Sequence, residues 1–562
     1  MSLSDVASRG VKLAVPSVRV RWRPGTGSLV AFWLPLALYL AVAWLLVLTD
    51  GYIVGDAWSR VGNASYVLFS RDPHLAAIGF VWNPLPSLAM LPLLPLKAIW
   101  PPLVSAGFAA NIVSALFMAG AVRVVSKTLV EAGLGARMTG LLALAFALHP
   151  MIVLYAANGM SEAPFLFFLV LAIQKLLAWW RTAETIQLAS LGLALAGAYL
   201  TRYEAVAASL AAIGLVAGRT FVQHRSQGAA AARLAAASDA LIAGAPFLAA
   251  FAAWALASWI IVGSPFDTFT SIYGNTSQTT LSADYIRAAT GTGFAAVAYL
   301  VVQVLVLAPG LVLVGPAVIL ALARGRTGAL VPIALLGSVL AFAAWALLTG
   351  KSFGWLRFSI AAVPLATLVA GLLLLPPRGR PRAVRSNRFL AWDVAGGAAL
   401  AGVLLALPVA FLGMTDPLVG REEASPISAL MHPATAHSIE TTEAVSYASN
   451  AARFIDQLGL PDGSVVVDVA IGFPIVLQSE HPREFVITTD RDFARTVADP
   501  TAFGARFLLV PSGQGYSGLD ALSRAYPGLY ATGAGIGEFV AQFGPSDGAY
   551  SWRLYALSAP VA

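Results

Sequence analysis

Seven ionisable residues fall where apolar stretches of this sequence begin or end: Asp56, Arg60, Glu162, Arg202, Glu204, Lys351 and Arg357. Charge is costly at membrane depth, so such residues usually face a polar cavity and often mark function. Carboxylates and cations gathered at one face offer hydrogen bonds to hydroxyls and ion pairs to anions. On the topology derived below, all seven lie toward one side of a bilayer. The other side carries mostly cations and no comparable mixed-sign group.

Each residue also has a purely structural reading. Charged side chains at helix ends snorkel to the interface. Glu162 could simply favour a helix N-terminus, with Ser161 as its cap. Arg202 and Glu204 could pair only with each other, and His149, before Pro150, fits a packing residue at a helix end. Asp56 resists such a reading, because Gly55 and Ala57 flank it and offer no basic partner. The glycine run Gly533-Ala-Gly535-Ile-Gly537 precedes a strand pattern rather than opening a helix, so it reads as a turn and not as a dinucleotide site.

What could position these residues is set by composition. The chain has 562 residues, of which 58% are hydrophobic and only 11% charged, with mean hydropathy +0.76. Soluble domains carry about 25% charged residues, so lipid solvates most of this surface. Cysteine is absent, which excludes disulfides and thiolate chemistry, and the 6 histidines are scattered without zinc-site spacing. The net charge of +7 sits mainly in short loops between apolar segments. That is the pattern of topology determinants and not of a nucleic-acid stripe.

Apolar runs of membrane-spanning length fall at 28–49, 104–124, 137–157, 161–180, 186–200, 203–218, 238–262, 293–322, 328–349, 356–376 and 390–413. The short pair 186–200 and 203–218 reads as two spans or one broken helix, and 293–322 as a span that begins along the interface. The tail 1–27 carries Arg9, Lys12, Arg19, Arg21 and Arg23. Alternate loops carry Arg123, Lys127, Arg137, Arg181, Arg219, Arg225, Arg233, Arg324 and Arg326, then Arg378 to Arg388. With about eleven spans these lie on one side, which the positive-inside rule makes cytoplasmic. The N-terminus is then inside, and the expected setting is the plasma membrane.

Two outer loops are long: 50–103, whose proline-broken stretch 83–102 reads as interfacial, and 263–292. Beyond Met414 apolar runs shorten to strand length at 465–469, 484–488, 506–511, 538–543 and 551–556. Helical patterns fall at 441–458, 492–497 and 518–526. The expected fold class is an α-helical polytopic membrane bundle over 28–413, followed by an extracytoplasmic α/β domain over 414–562 with some parallel pairing.

The order of several motifs resembles the GT-C superfamily of membrane glycosyltransferases, which use polyprenyl-phosphate-linked sugars. An acidic residue opens the first outer loop, followed by Asn83-Pro-Leu-Pro-Ser87. Tyr155-Ala-Ala-Asn-Gly-Met-Ser-Glu162 resembles that fold's third-to-fourth helix junction. Thr201-Arg-Tyr-Glu204 resembles a short turn of its bacterial members, and Trp355-Leu-Arg-Phe358, with Pro364 beyond it, resembles the entry into a later helix. The likeness covers roughly residues 28–376.

The resemblance implies sugar transfer to a lipid-linked glycan, a glycolipid or a protein, with mannose as the expected sugar and mannosyl- or arabinosyltransferases as the nearest type. Asp56 would be the general base, deprotonating the acceptor hydroxyl as it attacks. Arg357, Lys351 and Arg202 would hold the leaving phosphate. Glu162, Glu204, Arg60 and His74 would bind sugar or acceptor, and direct attack would invert the anomeric centre. Several members of the superfamily pair two acids in this loop, whereas Asp56 stands alone. The expectation is therefore a reaction without a cofactor or a bound divalent metal. The rival class, a transporter or flippase of lipid-linked sugars, predicts internal repeats and broken helices at mid-membrane, and the sequence shows no such repeat.

Overall fold

The computed structural model describes residues 26–557 apart from 324, 376–386, 514, 547 and 549. The basic tail 1–25 and the arginines of 376–386 lie outside the described residues. Among those described, eight helices are long and apolar enough to cross a membrane. A bent pair, Ala136–Leu148 with Pro150–Ala157, adds a ninth, and Ala283–Thr290 with Phe294–Leu307 a tenth. Thr185–Thr201 is a shorter apolar helix of 17 residues. Each of the eleven apolar segments is therefore helical, and the chain is a multi-pass membrane protein.

Where the helices break, the sequence supplies the reason. Segment 137–157 is not one straight span: it bends by 58° where Pro150 follows His149, since a proline ring cannot continue the preceding turn. His149 accepts a hydrogen bond from Met151 N at 3.3 Å and pairs through Nε2 with the Leu307 carbonyl at 3.0 Å, so it closes the break. The segment from Phe294 is interrupted in the same way at Pro309. Segments 186–200 and 203–218 are two helices, Thr185–Thr201 and Ala205–His224, separated by Arg202 in extended conformation. The 83–102 stretch lies in short helical pieces, Leu85–Met90 and Leu94–Ala98, with a proline opening each.

The C-terminal region forms one sheet of five strands: β1 Val465–Val467, β2 Phe485–Ile487, β3 Phe507–Pro511, β4 Gly537–Phe543 and β5 Trp552–Leu557. Their order is β2-β1-β3-β5-β4, with β1 parallel to β2 and β3, while the β3–β5 and β4–β5 pairs are antiparallel. The helix Val469–Gln478, absent from the sequence reading, crosses over between β1 and β2. Its apolar run includes Gly472 and Pro474, which hid it. It packs on the Gly55–Phe69 helix, where Phe473 meets Trp58 edge-on at 5.8 Å. Arg71 bridges to Asp490 at 3.2 Å and also pairs with Asp492, and Asp72 holds Arg491 at 3.0 Å. The sheet domain is thus pinned directly onto the 50–103 loop and the helix that carries Asp56.

Candidate active site

Four chain breaks bring the polar residues together. Asp56 stands in the first turn of the Gly55–Phe69 helix, where a carboxylate is favoured by the helix dipole. Glu162 opens Glu162–Thr182 in the same way. The turn before it needs glycine: Gly159 has φ +80°, and a Cβ there would come within 2.9 Å of Ala110 and 3.0 Å of Ala57. Arg202 and Glu204 occupy the break between Thr185–Thr201 and Ala205–His224. Arg357 sits in the short turn Leu356–Ser359 that leads into Ala362–Leu373.

Arg357 is the hub. Its Nη2 donates to Asp56 Oδ2 at 3.2 Å, its Nε lies 3.9 Å from Glu162 Oε1, and its guanidinium stacks 4.5 Å above Trp355. Arg202 donates from Nη1 to Glu162 Oε1 at 2.6 Å and from Nη2 to Glu204 Oε1 at 2.6 Å. The Arg202–Glu204 pair is therefore real but not closed on itself, since Arg202 also ties in Glu162. Ser161 does not cap the Glu162 helix; its hydroxyl instead accepts from Arg202 at 3.3 Å. Arg60 is buried, donates to the Asp56 carbonyl at 2.9 Å and lies 4.4 Å over Trp82.

Burial alone would raise the Asp56 carboxyl, but the charges of Arg357 and Arg60 more than offset it and hold the group below the usual aspartate range. Asp56 is thus ionised at neutral pH, with 36% of its side chain still open. Its carboxylate pairs with Arg357 from elsewhere in the chain, and Arg60, one helical turn on, adds its charge. Glu162 Oε2 and Glu204 Oε2 are shielded and lack hydrogen-bond partners.

Two joined spaces share these residues. One is a polar cavity that Asp56, Arg60, Arg202, Glu204 and Arg357 line together with Trp82, Asn83, Tyr273 and Gln278. The other is a groove whose far wall is Val339, Phe342, Ala343 and Ala346, one apolar stripe of the helix Leu330–Leu348. Glu162, Arg202, Glu204, Arg357 and Lys351 line the groove's polar end. Lys351 itself is exposed at the rim, 5.3 Å from the Trp345 ring.

His74 is not part of this arrangement. Its Nδ1 pairs with the Asp72 carbonyl at 2.7 Å, on the stretch that docks against the sheet domain. Sequence reasoning missed Glu422 and Glu423, just past the helix Asn387–Thr415. Glu422 Oε2 lies 2.9 Å from Arg357 Nε, and Glu423 Oε1 accepts from Tyr155 Oη at 2.7 Å. Burial raises the Glu422 carboxyl well above the usual glutamate range, Arg357 opposes this and Glu423 adds to it. The signal was available, because Arg421-Glu422-Glu423 follows an apolar run just as Lys351 does. Among the described residues, no group of three or more His, Asp or Glu side chains is arranged to hold a metal ion.

No family model and no curated protein matches the sequence. Among solved structures the chain is similar to ArnT from Cupriavidus metallidurans bound to undecaprenyl phosphate. The TM-score is 0.52 at 16% identity, over 96% of this chain and 99% of that one. ArnT in the apo state aligns with TM-score 0.52 at 14% identity, over 93% and 97% of the two chains. The archaeal oligosaccharyltransferase AglB from Archaeoglobus fulgidus, in complex with an inhibitory peptide and a dolichol-phosphate, reaches a TM-score of only 0.32 at 12% identity, over 94% of this chain and 75% of that one, and carries no argument. The likeness to ArnT extends over nearly the whole of both chains, so this protein has that fold: a helical membrane bundle with a C-terminal sheet domain.

Proposed function

We propose that this protein is a membrane glycosyltransferase. It moves a sugar from a polyprenyl-phosphate donor to a hydroxyl of a lipid-linked glycan, a glycolipid or a protein. The observation that carries this reading is the contact of Asp56 with Arg357, at 3.2 Å, where the polar cavity meets the apolar groove. Glycosyl transfer needs a proton acceptor beside the attacking hydroxyl and a cation at the phosphate that leaves. The solved ArnT complex with undecaprenyl phosphate supports a polyprenyl phosphate as the carrier.

The groove's stripe suits the first isoprenyl units, and Arg357, with Arg202 and Lys351, suits the phosphate. Arginine is fitted to it by its planar, bidentate donors. Asp56 takes the proton of the acceptor hydroxyl while that oxygen attacks the anomeric carbon. The carbon–oxygen bond to the phosphate breaks with its electrons staying on the phosphate, so the centre is inverted. Glu162, Glu204 and Arg60 hold hydroxyls of sugar or acceptor, and the chemistry calls on no protein-bound metal. The resemblance makes mannose the first sugar to assay.

The test is incubation of purified protein with polyprenyl-phosphate mannose, other polyprenyl-phosphate sugars and candidate acceptors. Product with inverted linkage supports the reading; a folded protein that transfers none of them sinks it. The basic loops support a cytoplasmic N-terminus and an extracytoplasmic site and sheet domain. Cysteine at Asp462 should then label from outside intact cells while cysteine at Glu184 should not, and the reverse pattern would overturn this orientation.

A further inference from the structure

We propose that Glu422 is a built-in competitor for the phosphate, a carboxylate of the chain itself that occupies Arg357 until the donor displaces it. The inference rests on the reading of Arg357 as the phosphate ligand. Arg357 already faces three carboxylates: Glu422 at 2.9 Å, Asp56 at 3.2 Å and Glu162 at 3.9 Å. A phosphate added to this guanidinium crowds three carboxyl groups, so one has to yield, and Glu422, whose carboxyl is already raised by burial, is the one that most readily gives up its charge.

The other two are fixed. Glu162 is held by Arg202 at 2.6 Å, and Asp56 accepts an aligned hydrogen bond from Arg357 Nη2 at 3.2 Å. Glu422 has Arg357 as its single ion-pair partner among the described residues. That pair is poorly aligned: both Arg357 Nε and Glu422 Oε2 are shielded yet lack a hydrogen bond. A phosphate oxygen in the same place could accept from Nε in line, which the carboxylate does not do.

The residues on either side of Glu422 are tied down by their side chains. Arg421 donates to the Phe353 carbonyl at 2.6 Å, and Glu423 is tied to Tyr155 at 2.7 Å. The Glu422 side chain is 29% exposed, and its Oε2 makes no hydrogen bond that would hold it there. The residue lies on the link between the last spanning helix and the sheet domain. The domain thereby supplies a selectivity element: the empty site keeps its cation neutralised, and a weakly bound anion gains little by displacing a carboxylate already in place. A ligand that adds the apolar groove to the phosphate contact gains enough to do so.

The test is equilibrium binding of undecaprenyl phosphate to detergent-purified full-length protein, compared among wild type, Glu422→Gln, Glu422→Asp and Arg357→Ala. Removing the competing charge should tighten binding by roughly tenfold, the order of one screened charge-assisted contact. Glu422→Asp, which draws the carboxylate back by one methylene, should tighten it less and covers the case in which the glutamine variant fails to fold. If both folded variants bind equally or more weakly, Glu422 merely positions Arg357 and the inference is wrong. Unchanged binding by Arg357→Ala would instead remove the reading beneath it.

Discussion

The molecule holds two buried acidic clusters, and they are satisfied in opposite ways. At the end of the bundle, Asp56, Glu162, Glu204 and Glu422 are met by guanidinium groups, and shielded oxygens of the last three are left without partners. In the sheet domain, Asp468 accepts from Ala470 N at 2.9 Å, Thr488 Oγ1 at 2.8 Å, Tyr273 Oη at 2.7 Å and Ala521 N at 2.7 Å. Backbone amides and hydroxyls fix the Asp468 carboxylate in one geometry and use up its lone pairs, although Oδ2 of its neighbour Asp520 is shielded and without a partner. Cations balance charge yet leave lone pairs aimed at a cavity. The first cluster is thus equipped to handle a ligand, whereas the second holds a domain together and, through Tyr273, ties it to the loop lining the cavity.

The sharpest break between the two clusters is Asp56→Asn. Loss of a general base should lower turnover by roughly 10²–10⁴-fold, with melting temperature and donor binding kept. A variant that melts like wild type, binds donor and turns over at a rate well above that range would remove Asp56 from the chemistry, and Glu162 would be the next carboxylate to examine.

Arg357→Ala should weaken donor binding by about 10–100-fold, the worth of charged hydrogen bonds. Arg357→Lys should fall between it and wild type, because the charge survives but the planar fork does not. Equal affinities for lysine and arginine would mean that bidentate geometry is irrelevant there.

Asp468→Ala should behave in the other manner, costing stability on the order of 3 kcal/mol because four partly buried donors lose their acceptor. Its turnover per folded molecule should drop far less than that of Asp56→Asn. A large loss of turnover at unchanged melting temperature would erase the distinction drawn between the clusters.

The smallest effect concerns Asp520, fully buried beside Asp468 and pushed up to about 7 by burial and by that neighbour's charge. An unfolded aspartate titrates near about 3.9, so the folded state holds a proton that the unfolded chain gives up. This contribution is present below the unfolded value and is lost as pH rises toward about 7. Asp520→Asn keeps the cap on Ser523 N without a charge. Its melting temperature should come closest to wild type below about pH 4, and its advantage should grow as pH rises toward about 7 and level off above that. A gain of equal size below and above that range would place its origin outside Asp520 titration.

Much of the architecture was legible because its cause is local. Lipid demands long apolar runs, so eleven segments and their approximate ends followed from composition, and the five strands followed from runs of β-branched and aromatic residues bounded by turn formers. The helix Val469–Gln478 was not legible, since its glycine and proline mask a segment that tertiary packing on the Gly55–Phe69 helix stabilises. At the site, expense of burial singled out Asp56, Arg60, Glu162, Arg202, Glu204 and Arg357, and they do converge. Lys351 stands at the rim and His74 elsewhere, because a position near a span's end fixes depth but not direction around the bundle.

The sequence by itself therefore determined that the chain is a multi-pass helical membrane protein, where its sheet domain begins and most of the charged residues that gather at one end of the bundle. Only the tertiary structure decided who meets whom. Arg357 lies 301 positions from Asp56, and nothing local connects them. Their pairing depends on the breaks at Gly159 and Arg202 and on a sheet domain that folds back and brings Glu422 to the same guanidinium. Hydrophobic burial is non-directional and can be read from composition, whereas hydrogen bonds and ion pairs depend on distance and angle, which exist only once the helices have packed.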